Sequence, residues 1–423
     1  MMSITQTDST PTAIESPSRC PIDHTAWSKQ KTSRPTEANP VPLARDAQGV
    51  WQVNGFAEAR AILRGSDTKQ AGFNAEQMGK IPGVHNRPIL YLEGKIHQQQ
   101  RKQTARFFTP KAVNSDYRQL MENLADGLVR EVKRRKHVDL SQLALIMAVQ
   151  VAAQVVGVTD SRLPGTGKRL DAFFTQKPSS PGLLSLLKWK PLATLGELYR
   201  QRHMLTFFWL DVLPAIKVRK RQPREDVISH LIAQNYSNTE ILTECVTYAA
   251  AGMVTTREFM SVAAWHFLEH PELRARYQAA PEEERLEILH ETLRLEPVVG
   301  NLSRRATADI IVESEGEHVT IPAGDLVNIH IYATNTDQAV IEKDSLVLCP
   351  GREIQGDRIP SMIMSFGDGH HRCPGSYLAI QETDIFLHRL LAVENLRIEQ
   401  PPALNWNELT TGYEIRKFLL ECD

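Results

Sequence analysis

The chain has 423 residues, with 49 Lys and Arg against 50 Asp and Glu and a formal charge of −1. That balance removes the broad electrostatic case for a nucleic-acid or anionic-membrane partner. Hydrophobic residues at 42% and charged residues at 23% exclude a disordered, collagenous or coiled-coil chain, and the length allows up to about three domains or one body able to enclose a cofactor.

The opening stretch, MMSITQTDSTPTAIESPSRC, is rich in Ser, Thr and Pro and has neither a basic start nor an apolar run. It reads as a mobile tail over residues 1–22, not as a signal peptide. Trp51–Val53 is a first strand signal. Helical patterning dominates from about Asp116 to Leu295. Leu140 to Val158 is the longest apolar stretch, but Gln142, Gln150 and Gln154 interrupt it. A membrane span needs ~20 nearly unbroken apolar residues, so this predicts a buried helix and no membrane anchor. Ser237-x-x-Glu240 is a capping box. The pattern then runs through Val246, Ala250, Met253, Phe259 and Ala263 to Glu269, where Pro271 stops it. This predicts a helix of ~30 residues, about 45 Å long, able to cross a whole domain. A further helix begins near Pro281 with Glu282, Glu283 and Glu284 in its first turn, where acids suit the dipole, and ends before Pro297.

Strand signals are few. Val319–Ile321 and Leu326–Ile331 flank Pro322-Ala323-Gly324-Asp325 and predict a hairpin. Residues 334–364 show no period, and a long irregular segment in a compact chain usually has a function. Helix resumes at Pro374 and runs to about Leu391. The pattern predicts a mainly α protein with a large helical body and a small β-rich region.

Five cysteines, Cys20, Cys245, Cys349, Cys373 and Cys422, form no C-x-x-C pair, so no disulfide framework and a reducing cytosol are expected. Cys373 stands out in Phe366-Gly-Asp-Gly-His-His-Arg-Cys373-Pro-Gly375. A glycine-rich loop leads to it and a helix follows, with Pro374 suited to the first turn. Backbone N–H groups and the helix dipole favour its thiolate, a soft metal ligand. Gly369 and Gly375 leave room for something flat and bulky close to the backbone. Zinc on His370, His371 and Cys373 fits poorly, because the spacing is wrong and there is no second ligand pair. A nucleophilic Cys/His enzyme stays open.

Phe366…Gly369…Cys373-Pro-Gly375 resembles the haem-binding signature of the cytochrome P450 family, and the similarity covers nearly the whole chain beyond the tail, making 23–423 one domain. The resemblance implies the P450 fold, with haem b (iron protoporphyrin IX) buried between the long central helix and the cysteine-loop helix. Cys373 would be the axial thiolate, which pushes electron density to the iron and favours O–O cleavage. Glu291-x-x-Arg294 is similar to the family's Glu-x-x-Arg, and Arg352 matches the arginine that joins it in a structural ion-pair network. His97-x-x-x-Arg101 resembles the propionate-binding His-x-x-x-Arg. Arg304, with Arg305 as competitor, and His371 match further propionate partners, which burial makes necessary.

On the long helix, Ala251 and Gly252 match the small residues over the haem, and Thr255 matches the oxygen-activating threonine. The acid that precedes this threonine in the family is Val254 here. Glu382 matches a glutamate of a water relay, and Glu258, one turn past Val254, is a second candidate for proton delivery. Substrate-facing positions by resemblance are Phe73, Met78, Ile89 and Leu90 in the 71–90 loop, the 181–195 region, Met253, Val298, Val299, Asn301, Leu302 and Thr411. That lining is mostly apolar, so the substrate is expected to be small and hydrophobic. The implied activity is a haem-thiolate monooxygenase in a cytoplasmic monomer. Its electrons would come from a separate ferredoxin or flavodoxin and reductase, docking nearer Arg101, Lys102, Arg106 and Lys111 than the basic runs 133–136 and 217–221. Val254 motivates the alternative of a peroxygenase or non-hydroxylating relative. A non-catalytic haem sensor is the alternative from another class.

Overall fold

The computed structural model describes residues 30–32, 41–73, 75, 85–174, 202–342, 344–408 and 410–423. The tail expected over 1–22, Met78 and the 181–195 region lie outside them. The chain enters through β1 (Leu43–Arg45), β2 (Trp51–Val53), α1 (Phe56–Arg64) and β3 (Thr68–Gln70). The helical body follows with α2 (Gly94–Thr104), α3 (Arg118–Arg135), β4 (His137–Asp139), α4 (Leu140–Val156), α5 (Thr166–Phe174), α6 (Leu213–Arg221) and α7 (Val227–Ala233). It continues through α8 (Asn238–Ala249), α9 (Thr255–Glu269), α10 (Pro271–Ala279) and α11 (Glu282–Leu295). Strands β5 (Asn301–Ala306), β6 (Ile310–Ser314), β7 (Glu317–Ile321) and β8 (Leu326–His330) come next. The last helix, α12 (Ser376–Leu391), precedes β9 (Arg397–Gln400), β10 (Ala403–Asn407), β11 (Gly412–Arg416) and β12 (Leu419–Glu421).

The long central helix forms as its sequence predicts. Ser237 accepts from Glu240 N while the Glu240 carboxylate accepts from Ser237 N, satisfying two end donors reciprocally. From there α8 runs into α9 through a wide π turn at Ala250–Val254. The apolar stretch beginning at Leu140 is buried as α4, started by Asp139, which accepts from Ser141 N at 2.9 Å. Helices α4, α9 and α12 share one core, in which Met147, Met260, Ala263, Phe267, Phe386 and Leu390 are fully buried. Each large side chain there contributes roughly 1.5–3 kcal/mol. A smaller core of Val53, Ala59, Ile62, Val327 and Ile329 lies under a five-stranded sheet of order β1-β2-β8-β5-β3. Among the described residues no helix is long and apolar enough to cross a membrane.

Three expectations are corrected. The Val319–Ile321 and Leu326–Ile331 strands do not pair: β7 pairs with β6, whereas β8 pairs with β2 and β5. The hairpin turns instead at Glu315-Gly316, both at positive φ (52° and 83°), the geometry that matches strand twist. The last helix starts at Ser376, not Pro374. Cys349 is disulfide-bonded, where no disulfide framework was expected.

Candidate active site

Cys373 lies just ahead of α12. Its N–H donates to Phe366 O at 2.9 Å, closing the loop on itself. Gly375 N–H and the charges of Arg101 and Arg372 favour the thiolate, but burial outweighs them and pushes the thiol up. A metal ion held by this sulfur would favour loss of its proton. The loop is held from behind by Asn335, which the sequence reading missed. Asn335 donates to Arg294 O and Ser365 Oγ and accepts from Met364 N. Arg294 in turn bonds both oxygens of Glu291, at 2.7 and 2.8 Å, and Arg352 reaches Glu291 at 3.2 Å. The structure thus brings Glu291, Arg294 and Arg352 into one buried cluster beneath the loop.

The two loop glycines differ. Gly369 has φ +66°, and a Cβ there would lie 2.0 Å from Leu63 O. Its glycine serves the approach of α1, not a flat ligand. At Gly375 a Cβ would meet only Phe108 at 3.9 Å and Cys373 Sγ at 4.0 Å.

Four basic groups gather beside this loop. The His97 and His371 rings stack with centroids 4.1 Å apart, Arg101 donates to Arg372 O, and Arg304 donates to Gln70. Arg305 instead turns outward to Gly324 O. Burial, His371 and Arg101 push His97 down to about 4. Burial pulls Arg304 down to about 10, and Glu93 is the one charge that offsets it. Burial works against ionised Glu93, but hydrogen bonds from His371 and Gln70 N hold its carboxyl below the usual range. Neither Glu93 nor Gln70 was singled out from sequence. A buried guanidinium such as Arg304, with so little anionic compensation, suits an incoming carboxylate. With a thiol alongside, the residues fit haem: Cys373 would hold the iron, and Arg304, His97, Arg101 and His371 the propionates.

On the long helix Ala251 is exposed, whereas Met253 and Val254 are buried. Thr255 Oγ1 donates to Ala251 O at 2.5 Å across the π turn. Gly252 does not face the site: a Cβ there would touch Ala152 of α4 at 3.5 Å. Met253, expected to line the substrate, lines a small apolar cavity behind the helix with Val149, Val156, Leu170 and Phe207. Glu258, a relay candidate, is tied up elsewhere. It accepts from Ile415 N and pairs with Arg257 and Arg416, riveting β11 to α9. Glu382 differs. It is 3% exposed, hydrogen-bonded to Thr256, and its Oε2 has no partner. Burial raises its carboxyl well above the ordinary value, and Thr256 only partly offsets this.

The remaining expected lining falls in three places. Ile89 is buried and Leu90 half-buried, while Phe73, at φ 55°, accepts from Tyr91 Oη at 2.8 Å. Val298 is buried, and Val299, Asn301 and Leu302 are half-buried. Leu302 lies against Gly367 of the cysteine loop. Thr411 is exposed on a turn locked to this segment, since Gly300 N donates to Thr410 O.

These features agree with what the chain resembles. A model described as "Cytochrome P450" matches residues 286–408. The biotin biosynthesis cytochrome P450 of Bacillus subtilis is 26% identical, covering 86% of this chain and 86% of that protein. Nocardicin C N-oxygenase of Nocardia uniformis is also 26% identical, covering 90% of each. The crystal structure of P450BioI in complex with hexadec-9Z-enoic acid ligated acyl carrier protein superposes with a TM-score of 0.69 at 23% identity, over 90% of this chain and 94% of that one. The family match and these relatives, on a fold that agrees, point to the haem-thiolate class of oxidoreductases. The chain belongs to the cytochrome P450 family and is a cytochrome P450 monooxygenase.

Proposed function

We propose that the chain holds haem b through Cys373 and oxidises a small, mainly hydrophobic substrate by hydroxylation or epoxidation. The carrying observation is the convergence of Cys373 and Arg101 with the stacked His97 and His371 rings and with Glu93, which links His371 to buried Arg304. When bound, the haem supplies dioxygen activation. The chain's own residues do the rest. Burial, which raises the Glu382 carboxyl well above its ordinary value, favours a proton at Oε2 beside Thr256. Glu382 passes that proton to water ordered by Thr255 Oγ1, taking the place of the acid missing at Val254. Ile89, Leu90, Val298 and Leu302 exclude bulk water and orient an apolar substrate.

Lys102, Arg106 and Lys111 are exposed on the α2 side of the site. They suit an acidic ferredoxin or flavodoxin, served by its own reductase, and a monomer in the cytoplasm is in keeping with that supply. A second reading, peroxide-driven oxidation, is favoured by Val254, which packs in the apolar core. Peroxide brings its own protons.

The test is the reduced carbon-monoxide difference spectrum of the haem-loaded chain, followed by turnover with a surrogate ferredoxin system or with peroxide alone. A thiolate-type band that Cys373→Ser removes is expected, with product from the ferredoxin system. Product from peroxide alone at a comparable rate would favour the second reading. Thiolate-type absorption that survives Cys373→Ser would overturn both.

A further inference from the structure

Glu244 lies in α8 one turn past Glu240, and the two carboxylates run along the same stretch of backbone. Glu240 Oε1 accepts from His85 N and Asn86 N, and its Oε2 accepts from Ser237 N. Glu244 Oε1 accepts from Ile89 N at 3.0 Å. Glu240 thus has both oxygens satisfied, whereas Glu244 is 1% exposed and its Oε2 has no partner among the described residues. Holding the 85–89 segment needs only one of Glu244's oxygens. A buried polar atom left open costs stability, and a side chain that keeps one calls for a ligand.

The position says which ligand. Seven residues, or two turns, separate Glu244 from Ala251, so both lie on nearly one face of the helix. Ala251 is exposed, its carbonyl accepting from Thr255 Oγ1 in the π turn, and Ile89, which Glu244 holds, belongs to the segment read above as substrate-facing. We propose that Glu244 Oε2 is a polar anchor of the substrate pocket, hydrogen-bonding a carbonyl or hydroxyl oxygen of the substrate remote from the carbon that is oxidised. This deepens the haem-thiolate reading above and rests on it. Among the described residues Glu244 interacts electrostatically with Cys245, Tyr236 and Tyr248, and no cation is among the groups that shift its carboxyl. Burial pushes the carboxyl up to about 8 against the Ile89 N–H. At neutral pH it therefore keeps its proton and donates from Oε2, while Oε1 accepts from Ile89.

The probes are 1-alkylimidazoles of graded chain length, whose ring ligates the haem iron, each paired with its analogue carrying a ketone on the penultimate carbon. Binding to the full haem-loaded chain is read from the Soret shift. At one chain length the ketone is expected to bind about tenfold more tightly than the plain chain. Glu244→Gln, whose amide still donates, should keep that preference. Glu244→Leu should lose it, so that each ketone probe binds no more tightly than its plain partner. In the unsubstituted chain the preference should also vanish as pH rises through about 8, whereas in Glu244→Gln it should not. Absence of a ketone preference at every chain length, or its survival in Glu244→Leu or above that pH, overturns the assignment. Absence of any shift with the plain alkylimidazoles overturns the haem reading and this inference with it.

Discussion

Glu258 and Glu382 are both buried glutamates close to the central helix, and their surroundings give them opposite work. Glu258 spends its oxygens on Ile415 N, Arg416 and Arg257. Glu382 has one hydroxyl partner and an open oxygen. Removing the charge of Glu258 leaves two arginines in the interior, and breaking a buried pair costs about 3–5 kcal/mol. Glu258→Gln should therefore lower the urea midpoint strongly while product per reduced nicotinamide in the remaining folded enzyme is unchanged. Glu382→Gln should do the reverse, leaving the midpoint nearly unmoved and slowing turnover about 100-fold with an enlarged solvent isotope effect. Thr255→Ala should lower product per nicotinamide consumed, and unchanged coupling would show that its hydroxyl does not gate protons. Sequence reached Glu382 through the resemblance and ranked Glu258 as the weaker candidate, but it could not say what holds Glu258. Glu258's partners lie 157 residues away in sequence, at Ile415. Nor could it find Thr256, because the neighbouring hydroxyls of Thr255 and Thr256 point about 100° apart and only the packing of α12 decides which one meets Glu382.

At the scale of elements, local signals succeeded where their causes are local. The capping box at Ser237, the stop at Pro271 and the acidic first turn of α11 each act within one turn, and the helices begin and end close to where those residues put them. Pairing is not local. Pro322-Ala323-Gly324-Asp325 does turn, with Asp325 N bonded to Pro322 O, but the strands on either side join different sheets because β8 is taken up between β2 and β5. The π turn at Ala250–Val254 had no sequence signature, and such turns gather at functional sites. The loop glycines show the same divide. Both were read as making room for a flat ligand, yet Gly369 answers to α1, which lies about 300 residues earlier in the chain. Gly369→Ala puts a Cβ against Leu63 O at positive φ, a strain of roughly 1–3 kcal/mol before the clash is counted, so it should shed haem and melt at lower temperature. Gly375→Ala meets nothing nearer than 3.9 Å and should retain haem almost normally, as measured by pyridine haemochrome content after gel filtration.

Across the whole molecule, the helical body and small sheets followed from composition and period, and the cysteine loop followed from one motif. What stayed hidden is how burial redistributes protons, because a carboxyl's environment is made by distant segments. Glu244 shows the consequence. Its ordinary value is 4.5, and burial carries it to about 8 in the folded chain. Between those values the unfolded chain has released a proton that the folded chain keeps. The folded state thus binds more protons, and stability falls as pH rises. The contribution is fully present below about 4.5, fades through neutrality and is gone above about 8. Glu382 is raised in the same sense by the same cause, so the two carboxyls add to one slope, whereas His97, pushed down to about 4, acts the other way at acid pH, where it must charge to unfold. Each pKa unit is worth about 1.4 kcal/mol, so Glu244 alone should tilt stability by a few kcal/mol over this window. Glu244→Gln has no proton to lose. Urea midpoints of the haem-loaded chain, taken from pH 5 to about 8, should therefore decline more shallowly in Glu244→Gln than in the unsubstituted chain. Parallel lines would mean that the Glu244 carboxyl titrates normally and is not held protonated by its burial.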